Sequence, residues 1–265
     1  MKKKCLMSAF VLMTHFLMAQ SLTNIVFKGI GPQHYTLNSI DSINYTVHSV
    51  VCPTTVTDVD GNLYNVIAIG DQCWLKENLK TTHFNNGVII PSTLTNTQWA
   101  NTLSAACADC DNNPTNTSVY GKLYNWYAVS DTSGLCPVGW HPSSRSDWKR
   151  LEAYLDPMSD TMELISMVSP VLGISLKEVG FSHWLPPGIP MSVVTNSSGF
   201  TALPGGMRAN FDGTYWDIKY RGEFWTSTNK NSANSYSIII EHSWNMLSET
   251  NHPIRTGMSV RCVKD

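Results

Sequence analysis

Charge is what this sequence has least of. Lys, Arg, Asp and Glu make up 14% of its 265 residues, against roughly 25% in ordinary soluble domains. Both signs are thinned, with 18 basic and 20 acidic residues and no basic cluster, which argues against a nucleic-acid partner. Beyond the first twenty residues no segment is apolar enough to span a membrane. Also lacking are G-x-S-x-G, H-E-x-x-H and G-x-x-x-x-G-K-[ST], the patterns that would announce a serine hydrolase, a zinc protease or a nucleotide-binding loop.

The first residues have the form of a targeting segment. Lys2, Lys3 and Lys4 precede an apolar run from Cys5 to Leu17, too short for a span, and Ala19 offers a small residue before Gln20. We read residues 1–19 as a cleaved secretory signal and the protein as secreted or displayed at the cell surface. An uncleaved anchor is the alternative, because Leu17 is larger than the cleavage rule prefers. Cleavage removes three lysines and one of seven cysteines, so the formal charge of -2 becomes -5 and six cysteines remain. An even count in an exported chain points to disulfides.

Residues 20–51 alternate in short runs (NIVFKGI, HYTLNSI, SINYTVHSVV) and read as a small β-rich lead-in; Cys52-Pro53 starts a different pattern. From Thr54 to Ile69 two alternating runs flank Asp60-Gly61, which supplies the positive φ angles of a tight two-residue hairpin turn. Folding back about that turn brings Cys52 near Gly70 to Cys73, so a Cys52–Cys73 disulfide fits the geometry. Asp58, Asp60 and Asn62 imitate the start of a calcium loop, but Ile69 stands where the closing glutamate belongs, so the turn reading is preferred. In the Asn/Thr-rich stretch that follows, Cys107-Ala108-Asp109-Cys110 is a redox motif, half a zinc site or a local structural disulfide. The last is preferred, since no second C-x-x-C and no helix start accompany it.

The run from Tyr120 to Val129 reads as a buried aromatic strand. Ser144 then caps a helix, with Asp147 reaching back and Trp148, Leu151 and Leu155 on one stripe, and Asp156-Pro157 ends it. A second helix is expected between Met158 and Gly180, starting at Ser169-Pro170. Short glycine-broken strands fill residues 199–265: RGEFWTST, SYSIIIEHS and GMSVRCVKD among them. Strands first, helices in the middle and strands last imply an α+β domain over residues 52–265 whose two ends meet in one sheet.

Six blocks, DVDGNLYNVIAIGDQCWLKENL, YGKLYNWYAV, CPVGWHPSSRSDW, SGFTALPGGMR, GEFWTST and SVRCVKD, stand in the order seen in the Fibrobacter succinogenes major paralogous domain, which residues 52–265 resemble. That family looks like a branch of the C-type-lectin-like fold, to which the formylglycine-generating enzymes also belong. The resemblance implies a loop-rich α+β domain with two helices and paired terminal strands, a Cys136–Cys262 disulfide, and export by Bacteroidetes-type bacteria. It implies little about activity.

Calcium-dependent sugar binding in C-type lectins uses Trp-Asn-Asp and Glu-Pro-Asn motifs, whereas here Trp225 is followed by Thr226-Ser227-Thr228. We therefore expect no metal and no cofactor, and a non-enzymatic domain that recognises a glycan or protein partner at the cell surface. Trp184, Trp216 and Trp244 are the candidate ligand-binding residues, because their neighbours suggest loops, although for any one of them burial in a satellite core is the preferred reading. A secreted oxidase or glycan-cleaving enzyme is the alternative, and a structural envelope component a third. Glu223, Glu241, Asp212 and Asp217 are read as solvated loop carboxylates. His141 is read as a hydrogen-bonded turn residue, and Arg208 and Arg261 as partners of buried acids.

Overall fold

A computed structural model describes residues 50–157, 172–186 and 194–265. The expected secretory leader, nearly all of the expected β-rich lead-in and the expected helix start at Ser169-Pro170 lie outside the described residues.

In chain order the strands are β1 (Thr55–Thr57), β2 (Leu63–Ile69), β3 (Gln72–Leu75), β4 (Cys107–Asp109), β5 (Lys122–Tyr124), β6 (Trp140–Pro142), β7 (Met207–Arg208), β8 (Tyr215–Trp216), β9 (Arg221–Asn229), β10 (Asn234–Glu241), β11 (Leu247–Pro253) and β12 (Cys262–Lys264). The α-helices are α1 (Asn96–Asn101), α2 (Thr117–Tyr120), α3 (Trp126–Val129), α4 (Arg145–Leu155) and α5 (Leu172–Leu176). Among the described residues the domain is α+β, with five α-helices instead of the two the resemblance implies and antiparallel strands in four sheets. The largest has the order β1-β2-β3-β12-β6, so the first strands and the last do meet in one sheet. The second is β11-β10-β9, and β4-β5 and β7-β8 are two-stranded.

The β1–β2 hairpin closes through Gly61 at φ +83°, but its loop is wider than two residues, since Thr57 pairs with Leu63. The reason is Asp58, whose buried carboxylate accepts from the N–H groups of Asp60 and Asn62, the Asn62 amide and the Tyr64 hydroxyl. The carboxylate that imitates a calcium ligand is thus saturated within its own turn. The fold-back places Cys52 5.6 Å from Cys73 between Cα atoms, and the two are bonded.

Helix α4 begins and ends where the sequence says. Ser144 Oγ accepts from the Asp147 N–H while the Asp147 carboxylate accepts from the Ser144 N–H, a reciprocal pair that satisfies two orphan donors. Its apolar stripe carries Trp148 into a ring cluster with Trp74 (5.1 Å), Phe200 (5.4 Å) and Phe224 (5.7 Å). Burying side chains of this size stabilises by roughly 1.5–3 kcal/mol each, which makes this cluster the joint between α4, the five-stranded sheet and β9. Just before α4, Cys136 bonds Cys262 of the central strand β12, with Cα atoms 6.0 Å apart.

Three expectations are corrected. Tyr120 to Val129 is not one strand: only Lys122 to Tyr124 pair, because Gly121 turns at φ +74° against Asn78 and Asn125 caps α3 by accepting from the Ala128 N–H. Cys107 and Cys110 are free thiols. Cys107 lies in extended β4, where three residues span ~10 Å, beyond the reach of a disulfide. Its Sγ donates to the Ile90 carbonyl in one cluster, and Cys110 Sγ donates to the Gly121 carbonyl in another. Arg208 and Arg261, both fully buried, pair with carbonyls and rings instead of acids. Arg261 donates to the carbonyls of Leu75, Phe200 and Thr201 and to Asn78 Oδ1, with its guanidinium 4.2 Å from the Phe200 ring centroid. A planar cation with five donors can pin several chain segments at once, and Arg261 pins residues 75–78 and 200–201 to its own segment.

Candidate functional site

Three segments that lie far apart in sequence converge beside the β9 end of the three-stranded sheet. The loop Trp216 to Arg221 joins β8 to β9; the loop Glu241 to Leu247 joins β10 to β11; and His183 to Pro186 runs past both. Backbone hydrogen bonds join them: Leu185 N–H donates to the Lys219 carbonyl (3.0 Å) and His242 N–H to the Tyr220 carbonyl (2.8 Å). Helix α5 anchors the assembly from beneath. Lys177 Nζ donates to the carbonyls of Glu241 (2.7 Å) and Trp244 (2.6 Å), and the Gly173 N–H to that of Asn245 (2.8 Å). A Cβ at position 173 would sit 2.8 Å from the Asn245 backbone, so only glycine allows this approach. Burial pulls the Lys177 amine down to about 8.

The first loop is strained. Asp217 and Lys219 are non-glycine residues at φ +63° and +69°, a region that costs energy for residues with a Cβ and that collects at functional sites. The strain is fixed by Tyr220 and Arg221 N–H donating to the Asp217 carbonyl and by Lys219 N–H donating to the Pro204 carbonyl. Its outcome is an ion-pair chain at the surface. Arg221 donates from Nη1 to Asp217 (3.1 Å) and from Nη2 to Glu241 (2.8 Å), with Tyr220 edge-on to His242 at 5.1 Å.

Below this chain lies Glu223. It is fully buried, neither carboxyl oxygen has a hydrogen-bond partner, and burial, with Asp217 and Glu241 adding to it, pushes its carboxyl up to about 8. Glu223 therefore keeps its proton at neutral pH. The solvated-loop reading of this residue was wrong because β9 is covered on both faces, with Gly222 to Thr226 all buried. Asp217 and Glu241 are partly exposed and paired, and Asp212 lies at the exposed tip of the β7–β8 hairpin.

The three tryptophans part company. Trp216 and Trp244 are exposed at 50% and 55%, each on one of the converging loops. Trp184 is turned inward at 4%; its Nε1 donates to the Ala202 carbonyl and Lys177 Nζ stands 5.4 Å from its ring centroid. It is core, since a loop aromatic with a carbonyl within reach gains more from burial than from exposure. The sequence reading missed Tyr220, Arg221, His242 and Lys177, which lie in no recognisable motif.

Elsewhere the chemistry is closed. Cys107 and Cys110 are buried with thiols pushed up to about 12, far from thiolate character at neutral pH. Trp225 is fully buried, its Nε1 donating to the Tyr124 carbonyl, and the hydroxyl of Thr226 donates to the Tyr236 carbonyl, so this stretch faces inward. His141 bridges Asp265 (2.6 Å) and Asp147 (3.0 Å), a structural link between β6, the last residue and the α4 cap. Among the described residues no group of three or more His, Cys, Asp and Glu could hold a metal, and no helix is long and apolar enough to cross a membrane.

Residues 67–264 match the model of the Fibrobacter succinogenes major domain. No curated protein and no solved structure matches the chain.

Proposed function

Because the chain belongs to the Fibrobacter succinogenes major domain family, we propose that it is an exported, non-enzymatic recognition protein that presents the converging loops to a glycan or protein partner at the cell surface. The observation that carries this reading is the joining of Trp216 to Arg221 and Glu241 to Trp244 into one face. Exposed aromatic rings there lie in the same loops as a partly exposed carboxylate–guanidinium chain, on a backbone held by main-chain hydrogen bonds and by Lys177. Aromatic area with adaptable polar groups is the composition of recognition surfaces. The disulfides Cys52–Cys73 and Cys136–Cys262 suit an oxidising compartment. Terminal strands meeting in one sheet, and a bridge from the segment before α4 to the last strand, support a C-type-lectin-like fold.

An enzymatic reading has less to stand on. Glu223 holds a proton at neutral pH but lies beneath the surface, and the Cys107 and Cys110 thiols are inaccessible. A glycan array and a pull-down against cell-surface material, with and without calcium, test the proposal. Calcium-independent binding that falls on Tyr220→Ala and Trp244→Ala is expected. Binding that is indifferent to both substitutions would remove this face from consideration.

A further inference from the structure

The β7–β8 hairpin holds Trp216 in an unusual way for a half-exposed side chain. Its Nε1 donates to Thr214 Oγ1 (2.8 Å), and that hydroxyl donates to Asp212 Oδ1 (2.8 Å), which also accepts from the Thr214 N–H (2.9 Å). The indole is thus fixed by a relay that ends on a carboxylate, so turning the ring would break a charge-assisted chain. The backbone on either side is equally constrained. A Cβ at Gly206 would lie 2.2 Å from the Trp216 carbonyl oxygen, and a Cβ at Gly213 would lie 2.2 Å from the Asn96 carbonyl oxygen. Arg208 Nε donates to the Gly213 carbonyl and Nη2 to that of Leu94, tying the hairpin tip to the segment before α1. An exposed tryptophan usually loses rotamer freedom when a ligand arrives; here that cost has been met during folding.

Resting on the recognition reading above, we propose that Trp216 is a pre-set stacking platform for the apolar face of a neutral pyranose, with the Asp217–Arg221–Glu241 chain taking the sugar hydroxyls. Three features select that ligand class. With its N–H satisfied internally, the indole offers a ligand only its π face, which suits the C–H face of a sugar ring. The next residue, Asp217, begins a chain of two carboxylates around one guanidinium, and the exposed Lys219 in the same loop balances the charge, so nothing there draws an acidic or a basic ligand in preference to a neutral one. Both carboxylates already hold Arg221, at 3.1 and 2.8 Å, so a basic peptide gains little there. Their remaining lone pairs still accept hydroxyl donors.

The test is an array of neutral and acidic oligosaccharides, followed by titration of the best-bound neutral one against the wild-type chain, Trp216→Ala, Trp216→Phe and Thr214→Val. The bound set should be neutral. Trp216→Ala should weaken binding by about tenfold or more, Trp216→Phe by less, and Thr214→Val by about threefold with the stacking ring still present. A second measurement does not depend on binding: the Trp216 indole N–H should exchange slowly with solvent in the wild type and quickly in Thr214→Val. Neutral glycan binding unchanged by Trp216→Ala, binding confined to acidic glycans, or a basic peptide ligand would overturn the platform and leave the recognition reading standing. Failure of every glycan and protein to engage the converging loops would overturn both.

Discussion

Replacing Glu223 by glutamine tests the electrostatics of the converging loops most directly. Glu223 is fully buried on β9 with both oxygens unpartnered, and its carboxyl is raised from an ordinary 4.5 to about 8, chiefly by burial and then by Asp217 and Glu241. Below pH 4.5 the folded and unfolded chains both carry the proton, so the residue is neutral to stability. Between 4.5 and about 8 the unfolded chain ionises while the folded one does not, and stability falls as pH rises; above about 8 the loss levels off. At roughly 1.4 kcal/mol for each pH unit, that interval caps the penalty at ~5 kcal/mol, and relaxation and water entry reduce it to about half. Glutamine has nearly the shape of the protonated acid and cannot ionise. Urea unfolding followed by tryptophan fluorescence should therefore give Glu223→Gln and wild type similar stabilities near pH 4. Around pH 8.5 the variant should be the more stable by about 2–3 kcal/mol. Glu152, likewise buried, unpartnered and raised to about 8, acts over the same window, so Glu152→Gln serves as an independent control whose effect adds to that of Glu223→Gln. Parallel pH profiles for wild type and Glu223→Gln would refute the assignment of a proton to Glu223.

The His141 bridge acts over a neighbouring range: its two carboxylate partners raise the imidazole above its usual 6.5, led by Asp147. Its contribution is complete below that value and is lost as pH rises through the raised folded pKa, so Asp265→Asn should flatten the fall in stability that sets in above the usual imidazole value in chemical unfolding. Removing the Cys136–Cys262 bond by double alanine substitution frees a loop with a separation of 126 residues, and chain entropy puts the cost at up to ~5 kcal/mol in reducing-agent-free unfolding. Cys107 and Cys110 should be silent to a thiol reagent in the native chain and yield two sulfhydryls on denaturation, whereas a 107–110 bond seen by mass spectrometry would contradict their placement. Ser144→Ala should lower stability by about 1 kcal/mol through loss of the α4 cap, measured by thermal or urea unfolding.

Local chemistry was legible where one residue type answers one backbone need. Ser144 and Asp147 gave away the start of α4, and Asp60-Gly61 the first hairpin, because caps and turns act over three or four residues. What failed to show depended on partners distant in the chain. Whether Trp184 faced in or out was decided by the Ala202 carbonyl and Lys177, and the fate of Glu223 by what covers both faces of β9. Cys107 and Cys110 looked paired from spacing alone, but an extended strand sends neighbouring sulfurs into separate clusters. Strand β11, LSETNHP, went unread because its polar composition has no strand signature of its own; seven consecutive pairings with β10 make it a strand. The candidate site was visible only as scattered tryptophans, since the contacts that join its loops are main-chain bonds and side-chain bonds such as Lys177 to Trp244 and Arg221 to Glu241, between residues distant in the chain.

One consequence follows from the place of β12, which lies between β3 and β6 and carries the cysteine that answers Cys136. A polypeptide delivered amino end first makes β1, β2 and β3 early and β6 some 65 positions later, yet these parts share no common edge until residues 262–264 have come through. The domain resembles an arch awaiting its keystone: until β12 arrives Cys136 is unmatched and the facing edges of β3 and β6 are bare. The Cys136–Cys262 bond can be made only once residue 262 has been delivered.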